Sequence, residues 1–422
     1  MQNRILEKSI HRKNNFLSFW FAFSFVLNGY ASGIPGISLG SVVFIILVLY
    51  SIVHSKNKKI SSGAIYLLMI FLFISIIDYS VVQNSLDFMS ICIGISKYFV
   101  WAFMITFGSS VVFHKDTLLS WMVKISLILL LYLIIQNVFF YGFSVYLPNI
   151  IEFGPFRAYD SGYVDERFKD TFIIRPASFL SESSFLGGYF TCTLIMLLSE
   201  IQKEYSKKMF RFALLISLGI VLTSSTSSIT QLPIIWFLLG SNSYRHHKLL
   251  STFLLIAVVG VTLAIWNIFS SLEDSNNALL YSLFYAFNKF DNLENSTRFG
   301  NSYAFLNYIP EYLRVLGVGI GNEVKFLKEV VTSNHYYMNS VTMLLVQLGG
   351  VGFLLFSIFL MNMFSISVKL KEQASIVLIL LYFIHGFSGG MWIGTYGILF
   401  LFVANGYLIN SKNKRKQLCH TY

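Results

Sequence analysis

The stretch LLSWMVKISLILLLYLIIQNVFF, residues 118–140, carries one charged side chain, Lys124, in an otherwise apolar run. A helix rises about 1.5 Å per residue, so about twenty apolar residues match the ~30 Å hydrocarbon core of a bilayer. Runs of the same kind recur at 16–34, 36–53, 63–83, 91–112, 179–200, 211–224, 228–241, 249–270, 340–365, 374–391 and 393–410. The spanning helix is therefore the unit of organisation, and the predicted fold class is an all-α integral membrane protein of about twelve transmembrane helices.

Composition points the same way. The chain has 422 residues, 55% of them hydrophobic and 12% charged, and its mean hydropathy of +0.65 exceeds what a soluble surface carries. The formal charge of +11 does not indicate nucleic acid, because the basic residues sit in short segments between apolar runs. Cys92, Cys192 and Cys419 are too far apart in sequence to suggest a disulfide framework or a zinc site. Arg4, Lys8, Arg12 and Lys13 precede the apolar run from Phe16, and no small-residue cleavage site follows, so an uncleaved first helix is expected.

Residues 211–241 differ from the other runs. The segment TSSTSSIT, residues 223–230, interrupts them and Pro233 follows, which predicts two short or tilted helices meeting at a polar turn. The span pattern shows no internal repeat, which counts against an inverted-repeat transporter.

With the N-terminus cytoplasmic, the groups at 4–13, 56–59, 115, 203–211, 245–248, 369–371 and 412–416 share one side. They include roughly two-thirds of the basic residues, and an even number of spans returns the C-terminus to that side. This leaves a single polytopic domain, 1–422, with two long exported loops, 141–178 and 271–339. The loops hold most of the acids and half of the arginines, and they are where chemistry is to be sought.

Three constellations stand out. In RPASFLSESSFLGG, residues 175–188, an exported arginine precedes the sixth span and Glu182 follows at the bilayer boundary. A carboxylate there needs a partner or a wet cavity, unless it serves as a helix N-terminal acid complementing the macrodipole. In NSTRFGNSYA, residues 295–304, Asn295 or Ser296 would cap a short helix with Arg298 in its first turn. A cation there opposes the dipole unless an anion is also bound, which marks Arg298 as a phosphate ligand. The following EYLRVLGVGIG, residues 311–321, adds Arg314; its glycines lack nucleotide-binding spacing and predict a turn or a close backbone approach.

In SNHYYMN, residues 333–339, His335 and Asn339 lead into the tenth span, where QLGGVG follows at 347–352. His335 is the one histidine of the two exported loops. It is either an interfacial residue or a general base, with an unperturbed pKa of about 6.5. The loops have no closely spaced histidines and no D-x-D pair, so neither a metal nor a cofactor is expected. Arginines would then neutralise a phosphate leaving group.

These residues resemble the bacterial O-antigen and capsule repeat-unit polymerases (Wzy-type), related to the O-antigen ligases. The likeness covers the whole chain as topology, and as sequence 175–188, 223–230 and 296–352. The family's exported arginines map to Arg175 and Arg298, its histidine–asparagine region to His335 and Asn339, and its glycine-rich helix to Gly349–Gly352. The spacing from Arg175 to Gly187 is about one residue longer than in some polymerases.

The resemblance implies a GT-C-like enzyme of the bacterial inner (plasma) membrane. It would join undecaprenyl-diphosphate-linked oligosaccharide repeat units on the exported face, alongside a chain-length regulator and a flippase. Arg175, Arg298, Arg314 and Asn339 would bind substrate, with His335 first and Glu182 second as the base. A ligase or a non-enzymatic lipid-linked oligosaccharide flippase are the alternatives.

Overall fold

The computed structural model describes residues 2–34, 37–54, 88–152, 157–158, 175–240, 305–323, 326, 338–388 and 392–420. Among them no strand forms beyond two isolated bridges, Tyr30 with Ala158 and Ala31 with Ser38. The helices are α1 (Gln2–Leu27), α2 (Leu39–His54), α3 (Phe88–Phe103), α4 (Lys115–Phe143), α5 (Ser183–Lys203), α6 (Lys207–Leu222), α7 (Thr226–Ile235), α8 (Glu311–Leu316), α9 (Ser340–Leu370), α10 (Gln373–Ser388) and α11 (Thr395–His420). A wider π turn, Met104–Gly108, continues α3, and another, Trp236–Gly240, continues α7. The expected spans at 63–83 and 249–270 lie outside the described residues.

Among the described residues, four helices are long and apolar enough to cross a membrane: Ile91–Val111, α4, α5 and α9. Their outer surfaces support that reading. One stripe of α4 exposes Ile128, Leu131, Ile134 and Val138, while Met122, Leu129 and Leu133 are buried. Outward apolar stripes of this kind suit hydrocarbon rather than water, and the described residues are consistent with an all-α membrane protein.

Contacts group the chain into two compact units, one of residues 1–44 and 114–291, the other of residues 45–113 and 292–422. In the first, α4 and α5 run antiparallel. Lys115 Nζ meets Glu200 Oε2 at 2.6 Å, the hydroxyls of Ser126 and Thr193 lie 3.2 Å apart, and Ser178 N donates to Gln136 Oε1 at 2.9 Å. Lys115 and Lys203 thus share one end, and residues 143–149 and 175–182 the other. α1 runs beside them, with Ser18 against Thr117 and Tyr30 OH donating to Ile151 O.

In the second unit, α3 and α9 run parallel. Tyr98 OH donates to Gln347 Oε1 at 2.6 Å, and Trp101 packs on Phe356 and Phe359. α10 returns antiparallel, since Ser367 meets Ser375 and Ser340 Oγ accepts from Trp392 N. α11 turns back again: its Asn405 donates to Ile105 O and Ser411 donates to Glu372. Arg415 Nη2 donates to Lys369 O and Leu370 O, so basic residues of α9 and α11 meet at one end while Asn339 and Ser340 lie at the other.

The helices differ from the hydropathy expectation at two informative places. The first apolar run extends to residue 34, but α1 stops at Leu27. There Asn28 accepts from Ser38, Leu39 N donates to Tyr30 O and Gly33 takes φ +84°, folding 28–38 into a tight connection. The sixth run begins at 179, yet α5 begins at Ser183, because Ser178 adopts φ +54° and turns the chain.

Candidate functional site

Arg175 and Glu182 share one segment of the first unit, and α4 shapes it. Gln136 Nε2 donates to Asn149 Oδ1 at 3.1 Å, and the same oxygen accepts from Ala177 N at 3.1 Å. Together with the bond from Ser178 N to Gln136, two amide side chains satisfy the backbone of a buried left-handed turn. Phe179 stacks on Tyr132 with ring centroids 4.3 Å apart. Arg175 is partly buried at the head of this turn.

Glu182 is the residue capping α5, with extended backbone (φ −138°, ψ 148°). It is exposed, and Oε2 accepts from Ser184 Oγ at 2.9 Å. Its side chain makes no hydrogen bond to the backbone of α5, and an acid at this position complements the helix macrodipole.

Five residues further along α5, a Cβ on Gly187 would lie 2.1 Å from Ser228 Oγ, so α5 and α7 touch through glycine and serine. The expected polar turn between α6 and α7 is present: Ser224 takes φ +50°, Thr223 Oγ1 donates to Ile220 O, and Ser225 Oγ lies 3.3 Å from Ser228 Oγ. The N-termini of α5 and α7 therefore open toward the same end of this unit as Arg175, placing two positive helix ends there.

The second unit holds Arg314 and Asn339. Arg314 is exposed in the last turn of α8, and its Nε donates to Ile309 O at 3.2 Å. Asn339 caps α9, its Oδ1 accepting from Thr342 N at 2.9 Å. Between them runs the glycine segment, in which Gly317, Gly319 and Gly321 all have positive φ. Val318 N donates to Val346 O at 2.8 Å, and Gly319 N to Gln347 O at 3.1 Å. These bonds form where α9 breaks at Gly349 (φ 63°, ψ −168°). A Cβ at Gly317 would lie 2.5 Å from Gln347 O, and one at Gly349 would lie 2.4 Å from Val315 O, so two backbones meet face to face.

Arg298 and His335 lie outside the described residues. The structure thus places Arg175 with Glu182 in one unit, and Arg314 with Asn339 in the other.

Sequence reasoning overlooks several polar groups. Gln136 and Gln347 are visible as amides inside apolar runs, and a search for polar residues within spans finds them. Asn322 and Glu323, which follow the glycines, are 1% and 8% exposed. Nothing in their local sequence signals burial. No known protein family matches the chain, and no curated protein is similar to it.

Proposed function

We propose that this chain is a polymerase of surface polysaccharide, joining undecaprenyl-diphosphate-linked repeat units on the exported face of a bacterial inner membrane. In this reading both termini are cytoplasmic, about twelve spans are arranged in a GT-C-like manner, and residues 141–178 and 271–339 are exported. An acceptor hydroxyl attacks the anomeric carbon of the donor glycan, a base takes the hydroxyl proton, and undecaprenyl diphosphate leaves. His335 is the proposed base, with Glu182 second. Arg175 and Arg298, with Arg314, hold the diphosphate bidentately, and Asn339 orders the edge of the site.

The observation that carries this reading is a partition of charge. Taken by itself, the first unit gathers Lys115 and Lys203 at the end opposite Arg175 and Glu182, and the second, taken by itself, gathers Lys369 and Arg415 at the end of α9 opposite Asn339. That is what a positive-inside protein with exported chemistry requires. Arg175 at the end where the N-termini of α5 and α7 open also gives a surface suited to a diphosphate.

The test is a gel of surface glycan from a strain lacking the chain. Single repeat units that persist without long chains are the expected result. Loss of the single-unit band with build-up of lipid-linked polymer favours a ligase instead.

One observation favours a second reading. A helix broken at Gly349 beside a buried carboxylate is a common way for a transporter to build its binding site. A flippase of lipid-linked oligosaccharide would leave unpolymerised units on the cytoplasmic face of the deletion strain.

A further inference from the structure

The glycine segment reaches into the second unit between two spans. Its Val318 and Gly319 bond α9 at Val346 and Gln347. On its other side, a Cβ on Gly94 of α3 would lie 2.5 Å from Ile320 Cγ2 and 3.2 Å from Gly321 N. Gln347 is seven residues beyond Ser340, and Tyr98 seven beyond Ile91, the first residues of the two spans. The segment is thus non-helical backbone packed between the N-terminal parts of two apolar helices. Such backbone persists between apolar helices only where protein covers it or where it lines a polar cavity.

Asn322 and Glu323 stand at the end of this loop. Among the described residues, Asn322 Oδ1 and Glu323 Oε2 are buried with no hydrogen-bond partner. Glu323 also bears electrostatically on Tyr98, whose hydroxyl is committed to Gln347. A carboxylate buried among spans is costly without a ligand or partner, and it is a functional-site marker by default.

The chemistry of the pair narrows the ligand. Both open atoms are oxygens able to accept hydrogen bonds, and a phosphate, itself an acceptor, is poorly matched to them. A metal cation needs a shell of several oxygens, but Val346 O and Gln347 O beside the loop already accept from its own N–H groups. A pair of hydroxyls fits: neutral, donating, and matched to a carboxylate and an amide oxygen beside an apolar cluster of Leu313, Val318 and Val346.

We infer that Asn322 and Glu323, held between α3 and α9 by the glycine segment, form a binding subsite for the hydroxyl groups of a neutral sugar. The identification of that sugar as the acceptor glycan rests on the polymerase reading; the subsite itself does not.

Two measurements test it separately. The first uses purified full-length protein and an apolar carbodiimide, with mass spectrometry reading modification at Glu323 and at the exposed Glu204. The probe is the repeat-unit oligosaccharide released from the host's own surface glycan. Millimolar oligosaccharide should slow modification at Glu323 by about fivefold or more and leave Glu204 unchanged, as expected for hydrogen bonds made to the Glu323 carboxyl group. An unchanged rate, protection by sodium chloride instead of sugar, or no modification of Glu323 at all overturns the subsite.

The second measures long-chain glycan in the deletion strain complemented with Glu323→Gln or Asn322→Ala, at matched protein abundance in the membrane. Long chains should fall by about tenfold for Glu323→Gln while single units persist. A full ladder from both variants removes the acceptor role. A ladder in the uncomplemented deletion strain removes the polymerase reading, and the carbodiimide result then still decides the subsite.

Discussion

The Arg175–Gly187 segment of the first unit and the Gly317–Glu323 segment of the second both bend irregular backbone against a spanning helix, but they are held by different means. The first is held by side chains, with Gln136 and Asn149 satisfying the amides of Ala177 and Ser178. The second is held by backbone against backbone, with Gly317 and Gly349 in direct contact. Their carboxylates differ accordingly. Glu182 sits exposed with Ser184 as its partner, whereas Glu323 is buried with an open oxygen. A side-chain scaffold leaves room for a solvated rim, while glycine contact excludes water and can bring a charge to depth.

The sharpest way to break this contrast is Gly349→Ala. The residue needs positive φ, and its Cβ would meet a carbonyl that cannot swing away, so a loss of about 3–5 kcal/mol is expected. Gly33→Ala is the control, with φ +84° and nothing within 4 Å of its Cβ; it should cost only about 1–2 kcal/mol. Thermal unfolding of both variants in detergent decides the matter, and equal midpoints would mean the glycine contact carries little.

Gln136→Ala comes next. It leaves the amide of buried Ser178 without its acceptor and removes one of the two donors to Asn149 Oδ1, at a cost of about 2–4 kcal/mol. Hydrogen exchange at Ala177 and Ser178 should rise in this variant, and unchanged protection there would show that the turn holds without its amide scaffold.

The smallest effect belongs to Glu182→Gln. The exposed carboxylate makes one bond, to Ser184, so stability should move by no more than about 0.5 kcal/mol. A large drop in the unfolding midpoint would erase the distinction between the two acids.

Hydropathy locates α4, α9 and α10 well because lipid-facing and core-facing residues of those spans are alike apolar. It misplaces the start of α5 because Phe179 and Leu180 are apolar yet lie in a turn, where Phe179 stacks on Tyr132 of α4 and Leu180 is buried; a hydropathy window cannot distinguish a buried turn from a span. It ends the last span near 410 although α11 continues to His420, since a helix keeps its backbone bonds after leaving an apolar medium. Arg175 and Glu182 are legible as polar residues at the edge of a span. The burial of Glu323 is not, because the residues around its loop come from Gly94, Tyr98 and Gln347, far away in sequence.

The bond between Tyr98 and Gln347 joins residues 249 positions apart, and the contact of Asn405 with Ile105 spans 300. The second unit is thus assembled from an early piece, ending at Phe113, and a late one, starting at Asn292. At a ribosomal rate of about 5–20 residues per second, α3 waits about 12–60 s in the bilayer before its partners are made. During that interval the hydroxyl of Tyr98 lacks the amide it will later bind. A newly inserted α3 is therefore a natural client for an insertase or membrane chaperone until α9 and α11 arrive.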